Sequence, residues 1–231
     1  SNAAPVGFIG YDIDNAITNQ PVNPAALVFF GHTNSYNGTI TDTGLTASTA
    51  FGSGALVNYS GGTGTLTDGN ISGGSQDTQV FTISSDPGGG PVPVGLTITL
   101  FLDGFYKLNT LEFFGTNNSA SSLPGRLDGV DVKVFDGTTA SFFPTTPFGP
   151  LNSQGVPVND RVTFLGSAID GLETDRIVLS NFSSTANDIF IVTEFLADGE
   201  FIKGLPAPDQ IAIFLAALVF LRVNRERQRA A

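Results

Sequence analysis

Residues 96–102 read Leu-Thr-Ile-Thr-Leu-Phe-Leu, and this stretch decides the fold class. Its apolar residues Leu96, Ile98 and Leu100 alternate with threonines, which is the two-residue period of a strand with one face in a core and one in water. Residues 130–134, Val-Asp-Val-Lys-Val, repeat the same pattern. Because half-buried strands of this kind stack face to face, the sequence predicts an all-β sandwich.

Short apolar runs separated by Gly, Thr, Ser and Asn continue on both sides of this stretch and are typical of many strands joined by turns. The predicted strands cover residues 6–11, 26–30, 55–59, 79–83, 96–102, 107–114, 130–135, 161–165, 176–179 and 189–196. The predicted loops are 52–64, which also contains the run 55–59, together with 86–95, 115–125 and 142–150. No helical period occurs before residue 204, so we predict a single β domain over residues 4–204. Residues 1–3 are interpreted as left over from cloning.

Composition excludes several classes of function. The chain has 231 residues with no cysteine and one histidine, so thiolate zinc sites, cysteine nucleophiles and two-histidine zinc sites are impossible. Neither a Gly-x-Ser-x-Gly elbow nor a Walker loop is present, and we predict that the protein is not an enzyme. A glycosidase using paired carboxylates stays open as an alternative, with Glu112 as its best candidate.

Charge is unevenly distributed along the chain. The formal net charge is −11, but residues 1–204 hold 19 of the acidic and 6 of the basic residues, a net of −13. An acidic body repels phosphate backbones, so nucleic acid is not expected as a partner. The same carboxylates are suitable oxygen ligands for calcium.

The last residues differ in character from the body. A Pro-rich break is followed by the uninterrupted apolar run 211–221 and then by four arginines. Pro208 near the first turn and the arginines at the far end favour a short C-terminal helix. Eleven helical residues cover about 17 Å, against about 30 Å for a bilayer core. A helix packed on the sandwich is the alternative to a membrane segment.

These tail residues resemble the PEP-CTERM protein-sorting signal, which places a Pro-Glu-Pro motif before an apolar helix and an arginine cluster. The matching residues are Pro206, Ala207 and Pro208, with Ala207 at the position of the glutamate. The resemblance implies export to the cell surface or extracellular matrix of a Gram-negative bacterium. It also implies transient membrane contact, processing by an exosortase, and an association with exopolysaccharide.

The body resembles the galactose-binding-like jelly rolls of discoidin and F-type lectin domains. The resemblance lies in residues 66–70, Leu-Thr-Asp-Gly-Asn, in the strand–loop–strand ending in residues 126–132, Arg-Leu-Asp-Gly-Val-Asp-Val, and in the closing strands. It implies a jelly-roll sandwich that binds carbohydrate.

In some members of that family the Asp-Gly-Asn loop and a glutamate of the last strand hold a structural calcium. The resemblance therefore implies side-chain ligands Asp68, Asn70 and Glu194, with backbone oxygens from Thr65 and Thr193. The alternative is that residues 68–70 are an ordinary turn, because Asp-Gly and Gly-Asn are common turn pairs.

Arg126 matches one of the arginines that the fucose-binding members use. At the foot of the long polar loop, its guanidinium can bind sugar hydroxyls with a fork of donors, and we place the loop asparagines Asn117 and Asn118 in the same binding region. The alternative is an ion pair between Arg126 and Asp128 or Asp131.

These observations together predict an exported, non-catalytic protein whose β-sandwich binds a polysaccharide or glycan, with calcium as its only implied cofactor. The alternative is a structural or adhesive module that acts through protein contacts or self-assembly, since the edges of a sandwich can pair with other chains.

Overall fold

The computed structural model describes residues 4–15, 26–30, 36–49, 52–69, 80–84, 96–116, 129–142, 157–183, 189–192 and 194–205. These residues form strands, turns and one 3-10 turn at Thr65–Thr67, so the all-β prediction is confirmed for the described part of the chain. The strands are β1 (Ala4–Pro5), β2 (Phe8–Asn15), β3 (Ala26–Phe30), β4 (Thr39–Thr49), β5 (Gly52–Gly62), β6 (Val80–Ser84), β7 (Leu96–Thr116), β8 (Gly129–Lys133), β9 (Thr139–Phe142), β10 (Pro157–Thr163), β11 (Glu173–Ser183), β12 (Ile189–Val192) and β13 (Glu194–Gly204).

The strands pair antiparallel in two sheets. One has ten strands, seven of them in the order β4-β5-β2-β7-β11-β8-β9, with β10 and β13 attached to β7 and β1 attached to β13. The second has three strands in the order β12-β6-β3. Strand β13 follows β12 directly in the chain, so the two sheets are joined close to residue 194.

Strand β7 is shared by two parts of the large sheet. Its first half, through Leu102, pairs with β2, and its second half pairs with β13 and β10. Strand β11 pairs with residues of both halves, between Ile98 and Lys107. Both halves contribute to one buried core, with Leu100 from the first half and Phe113 from the second. The register shifts between these halves, on the β11 side and on the β13 side. The sequence predicted two strands here, 96–102 and 107–114, and the structure corrects this to one continuous strand.

A glycine lies at the point where β7 changes partners. A Cβ on Gly104 would lie 2.6 Å from a ring carbon of Phe201 and 2.9 Å from the carbonyl oxygen of Lys203. The neighbouring Tyr106 ring packs edge-on against Phe201 at 5.3 Å. The sequence Asp103-Gly104 looks like a turn, but here the glycine allows β13 to pack closely against a strand that does not stop.

Two other predictions are corrected. The Gly-rich stretch 52–64 was predicted as a loop, yet Gly52–Gly62 is strand β5, paired with β4 and β2. Strands β4 and β9 were not predicted at all. Their threonines, serines and glycines carry no apolar period, and their β structure follows from backbone pairing with neighbours.

Candidate ion and ligand site

A buried carboxyl group opens the last strand. Glu194 is the first residue of β13, pairs with Phe114 of β7, and is 0% exposed. Its Oε1 accepts a hydrogen bond from the backbone N–H of Gly69 at 3.2 Å. Its Oε2 is buried and has no hydrogen-bond partner among the described residues. An ionised carboxylate in this position is costly unless a proton or a cation accompanies it.

The 3-10 turn Thr65–Thr67 packs against β2 and against β13, the strand that begins with Glu194. Leu66 anchors the turn and is 0% exposed. The Thr65 hydroxyl is buried and, within the described part of the chain, has no hydrogen-bond partner. Asp68 follows the turn, and Gly69 has a φ of +81°, a conformation that favours glycine. This conformation directs the Gly69 amide toward Glu194.

The pKa of Glu194 is raised to about 8, chiefly by burial. The charge of Asp68 and a side-chain hydrogen bond with it contribute to this rise, and the backbone amides of Gly69 and Asp68 oppose it. Asp68 itself is exposed, so the desolvated carboxyl group of the two is that of Glu194. At neutral pH Glu194 is therefore stable when it holds a proton or when a cation accompanies it.

The donor set fits a hard divalent cation. Carboxylate and hydroxyl oxygens are the ligands that calcium prefers, and calcium completes its shell of six to eight oxygens with backbone carbonyls and waters. The side-chain oxygens of Thr65 and Glu194 that lack hydrogen-bond partners are available for this purpose. Among the described residues no group of three or more His, Cys, Asp or Glu side chains could hold a metal, so Asp68 and Glu194 would be its only carboxylate ligands. Asn70 and Thr193 lie outside the described residues.

The predicted sugar-binding residues Arg126, Asn117 and Asn118 also lie outside the described residues. Asp131, the alternative ion-pair partner of Arg126, is described. Asp131 of β8 accepts hydrogen bonds from the Ser141 hydroxyl of β9 at 2.5 Å and from the Asn181 amide of β11 at 2.6 Å. Asp131 was considered only as an ion-pair partner of Arg126, and its hydrogen bonds across three strands were not predicted.

Glu112, the candidate carboxylate for a glycosidase, lies on β7 and forms an ion pair with Arg161 on the adjacent strand β10. The glutamate side chain is 16% exposed and the arginine side chain 50% exposed. The two residues are direct cross-strand neighbours, where opposite charges stabilise a sheet modestly. This arrangement gives Glu112 a structural role in the sheet.

The sorting-like residues Pro206, Ala207 and Pro208 and the predicted C-terminal helix lie outside the described residues. So does His32. The described residues contain no helix that is long and apolar enough to span a bilayer.

No family model and no curated protein sequence matches this chain. Among solved structures it is similar to the family 32 carbohydrate-binding module of Clostridium perfringens NanJ in complex with galactose, at 11% identity and a TM-score of 0.32, covering 81% of this chain and 98% of the other. It is also similar to a fucose-binding module of Streptococcus pneumoniae, at 14% identity and a TM-score of 0.36, covering 72% and 94%. A third is a module, CBM32-3, of a family 31 glycoside hydrolase from Clostridium perfringens, at 12% identity and a TM-score of 0.37, covering 59% and 81%. At these identities and TM-scores the likenesses establish neither a family nor a ligand.

Proposed function

We propose that this chain is an exported, non-catalytic carbohydrate-binding protein with a jelly-roll body. One observation carries the proposal. Asp68 and Glu194 are far apart in the sequence, yet their carboxyl groups are in contact and one of them is fully buried. The resemblance to galactose-binding-like domains implied this pairing from sequence motifs alone.

Calcium is the cofactor that we propose for this site. Asp68 and Glu194 would supply carboxylate oxygens, and Thr65, Asn70 and Thr193 would complete the protein's share of ligands. The ion would provide positive charge that keeps the buried carboxylate of Glu194 ionised at neutral pH. It would also tie the 3-10 turn to the first residue of β13.

Glycan binding is proposed for the predicted loops 61–74 and 115–125, together with Arg126. There Arg126 would bind sugar hydroxyls or a sugar carboxylate through its planar fork of donors, and Asn117 and Asn118 would add amide hydrogen bonds. The proposed partner is a polysaccharide of the producing cell's surface or matrix.

A panel of immobilised polysaccharides and glycans tests this function, with the full-length chain in calcium and in chelator. We expect binding that Arg126→Lys weakens, because lysine keeps the charge but loses the fork. Arg161→Lys is the matched control, since that arginine pairs with Glu112 on the body of the sheet. Binding that chelator abolishes supports the lectin and the ion together. Binding that survives chelator retains the glycan site and removes the ion from its function, and no binding to any glycan overturns the carbohydrate proposal.

The tail is proposed to act as a PEP-CTERM-type sorting signal, processed by an exosortase after transient membrane contact. Support comes from the order of Pro206-Ala207-Pro208, the apolar run 211–221 and the terminal arginines. Expression in a Gram-negative host with and without an exosortase tests it. Cell-surface or matrix location that requires both the enzyme and residues 205–231 is expected, and location independent of both would contradict the proposal.

A structural or adhesive function is the second candidate, and one strand favours it. Among the described residues β3 pairs only with β6, which leaves it as an edge of the small sheet. Its sequence, Ala-Leu-Val-Phe-Phe, is the kind of edge that pairs with another chain. Sedimentation velocity over a range of concentrations tests this, with Val28→Lys as the variant. Self-association that the lysine abolishes would favour the adhesive function, and a monomer at all concentrations would exclude it.

A further inference from the structure

Three consecutive backbone amides just before the 3-10 turn each donate to a different side chain. The N–H of Gly61 donates to Asp12 Oδ1 at 2.7 Å and that of Gly62 to the Tyr36 hydroxyl at 2.8 Å. The N–H of Thr63 donates to Asn37 Oδ1 at 2.6 Å. We call Asp12, Tyr36 and Asn37 the amide clamp.

The clamp lies where β5 stops pairing regularly with β2. Tyr11 pairs with Gly62 and Ile13 with Tyr59, so the register shifts between them, and strand pairing alone does not satisfy the amides there. Backbone amides that a register shift leaves without a strand partner need other hydrogen-bond acceptors. Here the acceptors come from two separate segments, β2 and residues 36–37.

Further hydrogen bonds and ring contacts connect the amide clamp to the residues around it. The Tyr36 hydroxyl donates to the carbonyl oxygen of Tyr11 at 2.8 Å, in the buried interior. The N–H of Asn37 donates to the carbonyl oxygen of Thr63 at 3.1 Å, so Asn37 binds both the backbone N–H and the backbone C=O of Thr63. The Tyr36 ring packs between Tyr11, at 5.2 Å, and Tyr59, at 5.1 Å.

Close backbone contact leaves the clamped segment little room to move. A Cβ on Gly62 would lie 2.3 Å from the backbone nitrogen of Gly38 and 2.5 Å from its Cα. Residues 62–63 are therefore held against residues 36–38 by hydrogen bonds on one side and by steric contact on the other. Thr65 follows Thr63 by two residues, so its position is within about 7 Å of chain from the clamp.

We infer that the amide clamp is a positioning device for the ion site, holding the chain that enters the turn so that Thr65 and Asp68 face Glu194. This inference rests on the proposed calcium site. Groups that orient metal ligands without touching the metal change its affinity by about 10- to 100-fold when removed. Leu66 and the Gly69–Glu194 hydrogen bond fix the far side of the turn, and the clamp fixes its near side.

Calcium titration of the full-length chain by calorimetry tests this, at a temperature where every variant is folded by circular dichroism. Asn37→Ala should weaken calcium binding about tenfold. Asn37 is exposed, so the variant is expected to fold. Asn37→Asp should restore the affinity, because its carboxylate still accepts from Thr63. Ser141→Ala is the control, since it removes an exposed side-chain hydrogen bond to Asp131 on different strands.

A second pair of variants removes one charge each. Asp12→Ala deletes a clamp member, and Asp136→Ala deletes an exposed carboxylate that accepts from the backbone N–H of Thr138. We expect weakened calcium binding for the first and unchanged binding for the second. If the wild type binds calcium and both clamp variants bind equally well, the clamp is only structural and the inference is overturned while the ion site stands. If the wild type binds no calcium, the proposed site fails and the clamp inference fails with it.

Discussion

At the scale of single residues, Glu194 is the most constrained group of the described chain. The side chain is fully buried, and one carboxylate oxygen receives an amide hydrogen bond while the other receives none from the described residues. Asp68 stands next to it and adds to the cost of ionising both. A carboxyl group in such surroundings is stable when protonated or when bound to a cation, and its protonation therefore couples to stability.

Ion-free protein should lose stability as pH rises from about 4.5 to about 8. The folded pKa of Glu194 is raised from 4.5 to about 8, so in this window the folded state holds a proton that the unfolded state has released. The free energy of unfolding then falls by up to about 1.4 kcal/mol per pH unit. Chemical denaturation in chelator at several pH values measures this slope.

Glu194→Gln is the control for that slope, because the amide is similar in size and does not titrate. The difference in stability between wild type and variant isolates Glu194 from the other carboxyl groups. We expect the difference to change with pH between about 4.5 and 8 and to be constant above. A difference that does not vary with pH would show that Glu194 ionises normally.

What the sequence could predict at this scale depends on the range of the interaction. The Asp-Gly-Asn motif and the glutamate of the closing strand were recognisable, because each is a local pattern. The amide clamp was not recognisable, since Asn37 and Thr63 are 26 residues apart and their hydrogen bond depends on a register shift in β5. A hydrogen bond between a side chain and a backbone group far away in the sequence leaves no local sequence motif.

At the scale of elements, the packing of β13 against β7 includes one close contact at a glycine. Gly104 and Gly204 are direct partners on β7 and β13, so they form a matched pair in one place. A Cβ on Gly104 would meet Phe201 and the backbone of Lys203, whereas a Cβ on Gly204 would meet nothing within 4 Å. A comparison of alanine at these two positions therefore separates the effect of steric contact from the effect of a glycine-to-alanine change on backbone entropy.

Gly104→Ala should lower the free energy of unfolding by about 1–3 kcal/mol, the usual effect of overpacking a well-packed place. Gly204→Ala should change it by less than about 0.5 kcal/mol, as expected for an exposed site. Urea denaturation of both variants measures the difference. Equal stabilities would mean that β13 can move away from β7 at this position without loss of stability.

The strands also differ in how clearly an apolar pattern in the sequence predicts them. Strand β3 matches its predicted bounds, 26–30, because its apolar run is continuous and lies between Pro24 and Gly31. Strands β4 and β5 are rich in Thr, Ser and Gly, and one was missed while the other was predicted mainly as loop. Their pairing is stabilised by backbone hydrogen bonds and cross-strand neighbours, which a period of two does not register.

At the scale of the whole molecule, the fold class followed from the sequence but the connections between strands did not. Alternation predicts which face of a strand is buried, and it carries no information on which strand lies beside it. The link through β7 joins residues of β2, β11, β13 and β10 in one sheet. Such pairings join distant parts of the chain and form together, so we expect the described β structure to unfold cooperatively.

The tyrosines provide a test of that cooperativity, since the chain has four tyrosines and no tryptophan. Burial raises the pKa of all four above the usual value of about 10, and for Tyr106 a hydrogen bond to Asp103 adds to the effect. The other three, Tyr11, Tyr36 and Tyr59, form a cluster of tilted and edge-on rings, in which Tyr36 is also a member of the amide clamp. A raised pKa means that the folded state keeps protons that the unfolded state loses, so stability falls as pH rises above about 10.

We therefore expect no tyrosinate absorbance from the folded protein near pH 10. At higher pH the absorbance should appear in one step, together with the loss of the β-sheet circular dichroism. Protein in denaturant, the control, should titrate near pH 10 without a step. Tyr106→Phe should reduce the amplitude of the step without splitting it, because Tyr106 lies on β7 opposite Phe201 of β13, whereas Tyr11 and Tyr59 of the cluster lie on β2 and β5. Tyrosinate that forms before the circular dichroism changes would mean that one of the two regions opens independently. If Tyr106→Phe removes this early absorbance, the region around Tyr106 is the one that opens, and otherwise it is the region around the other three tyrosines.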